Sequence, residues 1–189
     1  MISVKGVING LRLFILVGSM IGAAACSTIS VNTSAKYNPK FDYTRLKTFN
    51  WMPKSETTGN LQQTAVAAEV GQMIESEVEK ELEARGFKKL TDGIPDFYLN
   101  YHAYVQTKVE PQVVTYSCGR GICGQGMELN QIKEGTLILD FIQADNKDVV
   151  WQGTAVGVVG DPSKRKAIIE TAVRQLLSMF PPKYNRRVK

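Results

Sequence analysis

Histidine and cysteine are scarce in this chain, which has one histidine and three cysteines among 189 residues. A zinc site needs four ligands, whereas His102 with Cys118 and Cys123 offers three. A Ser-His-Asp triad would have to use His102, and no motif-like serine accompanies it. The apolar run Leu13–Ala25 is also shorter than the roughly 20 residues that a transmembrane helix requires. We predict no metal, no cofactor and no catalytic residues.

The charge balance argues against a nucleic-acid partner. The chain has 23 basic and 18 acidic residues, but six of the basic ones lie in residues 1–25 and 183–189. Residues 26–182 therefore carry 17 basic and 18 acidic groups, which is close to neutral. The basic C-terminal tail, residues 183–189, is either a solubilising terminus or a contact for anionic envelope lipid or polymer.

The N-terminus is typical of an export signal. Lys5 and Arg12 precede the apolar run Leu13–Ala25, and small residues then lead into Cys26. The end of this segment resembles a bacterial lipobox, with Ala23 where a larger apolar residue is usual. We expect residues 1–25 to be a lipoprotein signal peptide. The alternative is an ordinary cleaved signal that leaves a soluble protein.

Acylation of Cys26 would make membrane lipid the first partner of the mature chain. One acyl chain binds a bilayer only marginally, so stable anchoring takes more than one. Residues 26–36 are rich in Ser, Thr and Asn and are predicted to form a tether, with Ile29 and Val31 able to start a strand. Ser27 is not acidic, which by resemblance to Gram-negative lipoprotein sorting favours the outer membrane, facing the periplasm.

Hydrophobic periodicity predicts one mixed domain after the tether. Apolar residues recur every four positions from Val66 to Leu82, which indicates a helix that Gly86 can end. The predicted elements are strands over 46–51, 96–109, 135–142 and 148–159, helices over 61–85 and 161–180, and a loop over 110–134. The order β-α-β-β-β-α predicts an α+β two-layer domain, a mostly antiparallel sheet with two helices packed on one face. A tight turn at residues 145–148 would join the last two strands into a hairpin.

Several separated segments carry a family resemblance. They are the segments 47–53, 81–87, 95–101, 134–140, 150–155 and 180–182. In this order they resemble the bacterial lipoprotein family known as domain of unknown function 4136, over residues 37–182. The resemblance implies an exported, lipid-anchored domain and supplies no catalytic residues to assign.

The segment 110–130 departs from that family through its cysteine pair. In an oxidising compartment, Cys118 and Cys123 most simply form one disulfide that closes a small loop. The same segment reads formally as G-x-G-x-x-G over residues 119–124. A dinucleotide site is rejected there, because residues 125–134 are too few for the long helix that this loop must open.

The remaining candidates lie on one strand face, where Tyr98, His102 and Tyr104 alternate with apolar residues. We predict a non-enzymatic, anchored envelope domain with a structural or binding role and an envelope protein or polymer as a candidate partner. One alternative is a hydrolase using His102 and nearby carboxylates such as Asp140. Another is a module that binds a glycan or apolar ligand on the face of Tyr98, His102 and Tyr104.

Overall fold

The computed structural model describes residues 29–53, 65–119 and 121–182. Cys26, the signal segment and the basic tail lie outside these ranges. Within these ranges the chain forms two helices and six strands, together with two short 3-10 turns. In chain order the elements are β1 (Val31–Tyr37), β2 (Thr48–Trp51), α1 (Ala65–Ala84), β3 (Lys88–Lys89), β4 (Phe97–Cys118), β5 (Gly121–Gln143), β6 (Val149–Val158) and α2 (Arg165–Ser178).

All six strands belong to one sheet, in the order β1-β6-β5-β4-β2-β3. β1, β6, β5 and β4 are antiparallel to their neighbours, whereas β2 runs parallel to both β4 and β3. The prediction of a mostly antiparallel sheet is therefore wrong, because the sheet is mixed. The cause is α1, which carries the chain from one end of the sheet back to the other, so that β2 and β4 point the same way. β1 forms where Ile29 and Val31 were predicted to be able to start a strand, whereas the predicted element order lacks β3.

The predicted loop over residues 110–134 is wrong. β4 and β5 continue through it and pair along their whole length, from Phe97↔Gln143 to Cys118↔Gly121. Pro111 and the glycines favoured a loop, but an antiparallel partner joined by a tight connection supplies the backbone hydrogen bonds that this segment needs. The register shifts once, between Tyr116 and Ser117. The predicted turn near residue 147 is present, with Lys147 at φ 63°.

The core lies between the helices and one face of the sheet. Apolar residues of both helices pack with alternate residues of β4, β5 and β6, as the strand periodicity predicts. At one end the core is aromatic: Phe141 lies 5.1 Å from Phe97, 4.9 Å from Trp151 and 4.1 Å from Phe180, measured between ring centroids. Such ring pairs add to the free energy of simple apolar burial.

Helix α1 ends as predicted at Gly86, whose φ of 90° is readily adopted only by glycine. The amide of Phe87 donates to the Leu82 carbonyl at 3.1 Å, which turns the chain back over the last helical turn. On α1, Glu79 accepts hydrogen bonds from the Trp51 indole at 2.7 Å and from Lys89 at 2.6 Å. This carboxylate thus ties the helix to β2 and β3.

Candidate functional site

The helix-facing side of the sheet changes character along the strands. Towards one end β4 and β6 present Phe97 and Trp151, both fully buried. Towards the other end the same faces of these strands present Ala103 and Ala155, and then glycine at Gly157. Small residues cannot fill the space beneath the helices, because they lack the side-chain volume that close packing requires. A cleft forms there.

The cleft has a volume of about 560 Å³. Ligand pockets in proteins are typically roughly 300–1,000 Å³ and mainly apolar, so this cleft is of the size that holds a small molecule. Its floor is formed by Val31, Ala103, Val105, Gly135, Leu137, Ala155 and Gly157 of the sheet. Its walls are formed by Ala67, Val70, Gly71 and Ile74 of α1 and by Ile168, Ile169 and Ala172 of α2.

Charged groups lie only near the mouth of this cleft. Lys133 and Arg165 are its charged lining residues, and both are cationic. Arg165 is 3.6 Å from the Glu69 carboxylate. Nearby, Asp161 caps the turn that leads into α2, and hydrogen bonds from the side chain and amide of Ser163 lower the pKa of its carboxyl group. The interior of the cleft therefore favours apolar groups, and its lining residues include two cations and no carboxylate, with Arg165 already paired to Glu69.

The predicted hydrolase pair lies on the opposite face of the sheet. The His102 Nε2 atom is 3.9 Å from the Asp140 Oδ2 atom, beyond hydrogen-bonding distance. Asp140 instead accepts a 2.8 Å hydrogen bond from Gln152. The strand register places Ser34 in the same row as His102 but three strands away, at roughly 14 Å from strand spacing alone. These residues are therefore not arranged as a nucleophile with its base.

The predicted ligand face is brought together on one side of β4 but does not border the apolar floor. Tyr98 is half-buried, with the Lys147 ammonium 4.1 Å from its ring centroid, and Tyr104 is 47% exposed. The Asn100 side-chain amide donates a 3.1 Å hydrogen bond to the His102 Nε2 atom. A ligand role for Tyr98, His102 and Tyr104 stays a prediction, and Tyr104 alone of the three borders the cleft.

The disulfide prediction is confirmed. Cys118 and Cys123 are bonded at the far end of the β4–β5 hairpin, where the sulfurs close its terminal connection. Within the residues that the structure describes, no group of three His, Cys, Asp or Glu side chains could hold a metal ion. Across the same residues, neither helix is long and apolar enough to cross a bilayer.

Sequence reasoning missed the cleft, although its signal is present. Along β5 the inward positions shrink from Phe141 through Leu139 and Leu137 to Gly135, and along β6 the inward positions after Trp151 are Gly153, Ala155 and Gly157. A parallel decrease on neighbouring strands indicates a gap at one end of a core. Recognising this gap requires the register of β4, β5 and β6, which local sequence patterns do not give.

The fold and the cleft define the class: a mixed α/β domain with an apolar cleft between its helices and its sheet. The family model for a domain of unknown function, DUF4136, matches residues 33–182. The chain belongs to the DUF4136 family, as its motifs predicted. A comparison with functionally curated proteins finds no match.

Solved structures share the fold at low sequence identity. A PDZ domain protein from Parabacteroides distasonis is 14% identical with a TM-score of 0.54, over 84% of this chain and 38% of that protein. The chain thus spans well under half of that protein. PelC from Paraburkholderia phytofirmans, solved as a dodecamer, is 15% identical with a TM-score of 0.45, over 79% of this chain and 95% of PelC. At these identities the likeness concerns the fold alone.

Proposed function

We propose that this protein is a lipid-anchored envelope protein that binds the hydrocarbon chain of an amphiphile in the cleft between its helices and sheet. The observation that carries the proposal is the cleft of about 560 Å³ with its floor of small residues. A hydrocarbon chain that enters the cleft leaves water, which contributes about 0.8 kcal/mol for each buried methylene group.

The charges at the mouth narrow the class of amphiphile. Lys133 and Arg165 border the cleft, and its apolar interior contains no carboxylate among the lining residues. A ligand with an acidic head group, such as a fatty acid or an acidic phospholipid, would bury its chain and keep its head beside these two cations. Cationic amphiphiles would lack this favourable electrostatic interaction.

Anchoring through Cys26 would hold the cleft close to such molecules. Val31 lines the cleft, and Cys26 lies five residues before it in the chain. Five extended residues reach at most roughly 17 Å. We propose the outer membrane, on its periplasmic side, as the location. Metabolic labelling with a palmitate analogue tests the anchor: the native chain should be labelled, and a Cys26→Ser variant should not.

Fatty-acid binding tests the cleft, using titration of a fluorescent long-chain fatty acid. Ala67→Phe places a ring in the wall of the cleft, whereas Ala68→Phe places the same ring on the neighbouring, exposed position. We expect Ala67→Phe to weaken binding about tenfold, the effect of losing roughly two buried methylene groups. Ala68→Phe should bind as the native protein does. Equal binding by both variants, or no binding by the native protein, would exclude this function.

A further inference from the structure

The β4–β5 hairpin extends far beyond the rest of the sheet. Val31, Gly157, Gly135 and Val105 form one row across β1, β6, β5 and β4. Past this row the hairpin continues through residues 106–134, which we call the arm. At its base Glu134 still pairs with Val158 and the Lys133 carbonyl accepts from the Val159 amide, and beyond them the described residues provide no third strand. The 13 residues 106–118 of its first strand correspond to a length of about 40 Å.

The arm has two different faces. Strand alternation and the printed register place one set of side chains on the helix side of the sheet and the other set on the opposite side. The helix-side face, here the apolar face, is formed by Thr107, Val109, Pro111, Val113, Thr115, Gln125, Met127, Leu129, Gln131 and Lys133. The opposite face, here the polar face, carries Gln106, Lys108, Glu110, Gln112, Glu128, Asn130 and Glu134, together with the side chains of Val114, Tyr116 and Ile132.

The two faces also differ in charge. The carboxylates of the arm, Glu110, Glu128 and Glu134, all lie on the polar face. Hydrogen bonds from Lys108 and Gln106 lower the pKa of Glu134, so this group stays ionised. The apolar face has no acidic residue and one cation, Lys133. This face would therefore meet a negatively charged surface without repulsion.

The apolar face is exposed. Val113, Met127 and Leu129 expose 64%, 72% and 72% of their surface. Its apolar residues, Val109, Pro111, Val113, Met127 and Leu129, are neighbours across the two strands in the middle of the arm. Such a patch on a two-stranded ribbon is unusual in water, because ribbons of this kind gain stability when one face is covered. Some apolar surface outside the domain must therefore face it.

The reach of the tether indicates which surface this is. From Val31, Cys26 lies within roughly 17 Å, whereas the arm extends about 40 Å from the same row. If the arm pointed straight at the bilayer, its length of about 40 Å would not fit between the sheet and the membrane, because the tether holds Cys26 within roughly 17 Å of Val31. We infer that the arm is inclined to the membrane that holds Cys26 and contacts it with its apolar face, an inference that rests on the acylation proposed above.

The backbone of the arm favours this contact over pairing with a second copy. Leu99 accepts from Met52 across the β2 edge, so odd-numbered residues of β4 direct their backbone groups to that edge. Pro111 is odd-numbered and has no N–H, which removes a donor from the β4 edge, one of the two edges of the arm that a second copy could pair with. At a bilayer surface these edges stay hydrated while the apolar side chains enter the headgroup boundary.

Tryptophan reporters on adjacent residues test the orientation of the arm. Leu129→Trp places an indole on the apolar face, and Asn130→Trp places one on the polar face. The full-length acylated protein is reconstituted into phosphatidylethanolamine–phosphatidylglycerol vesicles with brominated acyl chains. Emission of the Leu129→Trp reporter should be quenched and blue-shifted, after subtraction of the native tryptophan signal, while the Asn130→Trp reporter should be unchanged.

Two outcomes would overturn the inference. If vesicles retain the protein but neither reporter is quenched, the anchor exists and the arm points away from the membrane. If the Leu129→Trp emission is already blue-shifted without lipid and the protein is a dimer, the apolar face is covered by a second copy. Loss of the protein from the vesicles marks failure of the proposed anchor instead.

A second measurement does not depend on the acyl group. The Cys26→Ala chain should bind the same vesicles weakly through the arm alone. Val113→Asp with Met127→Asp should reduce this partitioning about tenfold, because both substitutions place charge against lipid. Gln112→Asp with Asn130→Asp adds the same charge to the polar face and should have less than about a twofold effect. Equal losses in both double variants would contradict a one-sided contact.

Discussion

The two ends of the helix-facing sheet surface are built from the same strands but packed in opposite ways. At the closed end, Phe97, Phe141 and Trp151 are fully buried and meet Phe180 from the segment after α2. At the open end, Ala103 and Gly135 leave the cleft beneath the helices. The difference indicates that packing at the closed end stabilises the fold, whereas the open end contributes less to stability. Truncating side chains at either end measures this difference.

The largest effect is expected at the closed end. Phe141→Ala removes a fully buried ring with three aromatic neighbours and should lower the free energy of unfolding by about 3–5 kcal/mol. Val105→Ala at the open end, where Val105 is 63% exposed, should cost less than about 0.5 kcal/mol. Urea denaturation of both variants gives the comparison. Similar losses would show that the open end is as tightly coupled to stability as the closed end.

Two glycines of β6 allow the same substitution, glycine to alanine, to be compared at the two ends of the sheet. At Gly153 an added Cβ would lie 2.9 Å from the Trp151 Cζ3 atom and 3.0 Å from the Leu176 Cδ2 atom. At Gly157 its nearest neighbours would be the Ser30 carbonyl at 3.3 Å and the Val31 Cγ2 atom at 3.4 Å. We expect Gly153→Ala to cost about 2 kcal/mol and Gly157→Ala less than about 1 kcal/mol in thermal unfolding. The reverse order would contradict the packing difference.

A smaller effect is expected from acid at the closed end. Burial of Asp96 tends to raise the pKa of its carboxyl group, but hydrogen bonds from Thr48 and Lys47 outweigh it, so the pKa is lowered. The Lys47 and Thr48 amides each donate to this carboxylate at 2.8 Å. Its stabilising contribution is therefore complete above the ordinary value of 3.8 and is lost as the pH falls from there through the lowered pKa.

Asp96→Asn tests that pH dependence by denaturation at several pH values. Asparagine keeps one oxygen acceptor but does not titrate in this range. The variant should be less stable than the native protein near neutral pH, and the two unfolding free energies should converge below pH 3.8. A difference that is constant with pH would mean that the charge of Asp96 does not contribute.

Periodicity predicted most of the fold. The four-residue recurrence on α1 and the alternation of residues 96–109 both indicate elements with one buried side. In the structure these segments are a helix and a strand that bury the predicted side. The parallel pairing of β2 was missed because it depends on where α1 returns the chain, which no local pattern encodes. The outer part of the hairpin was missed because Pro111, Gly124 and Gly126 are typical of loops, while its backbone pairing is decided by a partner strand.

The candidate site was harder to predict than the fold. Cys118 and Cys123 were paired correctly because a short spacing leaves few alternatives in an oxidising compartment. The cleft was not predicted, since it is produced by small residues, and Ala103 or Gly157 has no chemistry of its own to notice. His102 was a candidate because it is the single histidine of the sequence. It is exposed on β4 and has no aligned partner, so it offers no catalytic arrangement.

Strand β1 has a mechanical consequence for a chain held at its N-terminus. It is the outermost strand, and its seven residues pair with β6 from Val31↔Gly157 to Tyr37↔Trp151. A pull that arrives through the residues before Val31, directed along the strand, loads the whole hydrogen-bonded ladder in shear, because antiparallel hydrogen bonds lie perpendicular to the strands. The ladder then shares the force instead of opening one bond at a time. If Cys26 is acylated as proposed, tension from the membrane would load this ladder, whose last pair, Tyr37↔Trp151, lies at the aromatic end of the core.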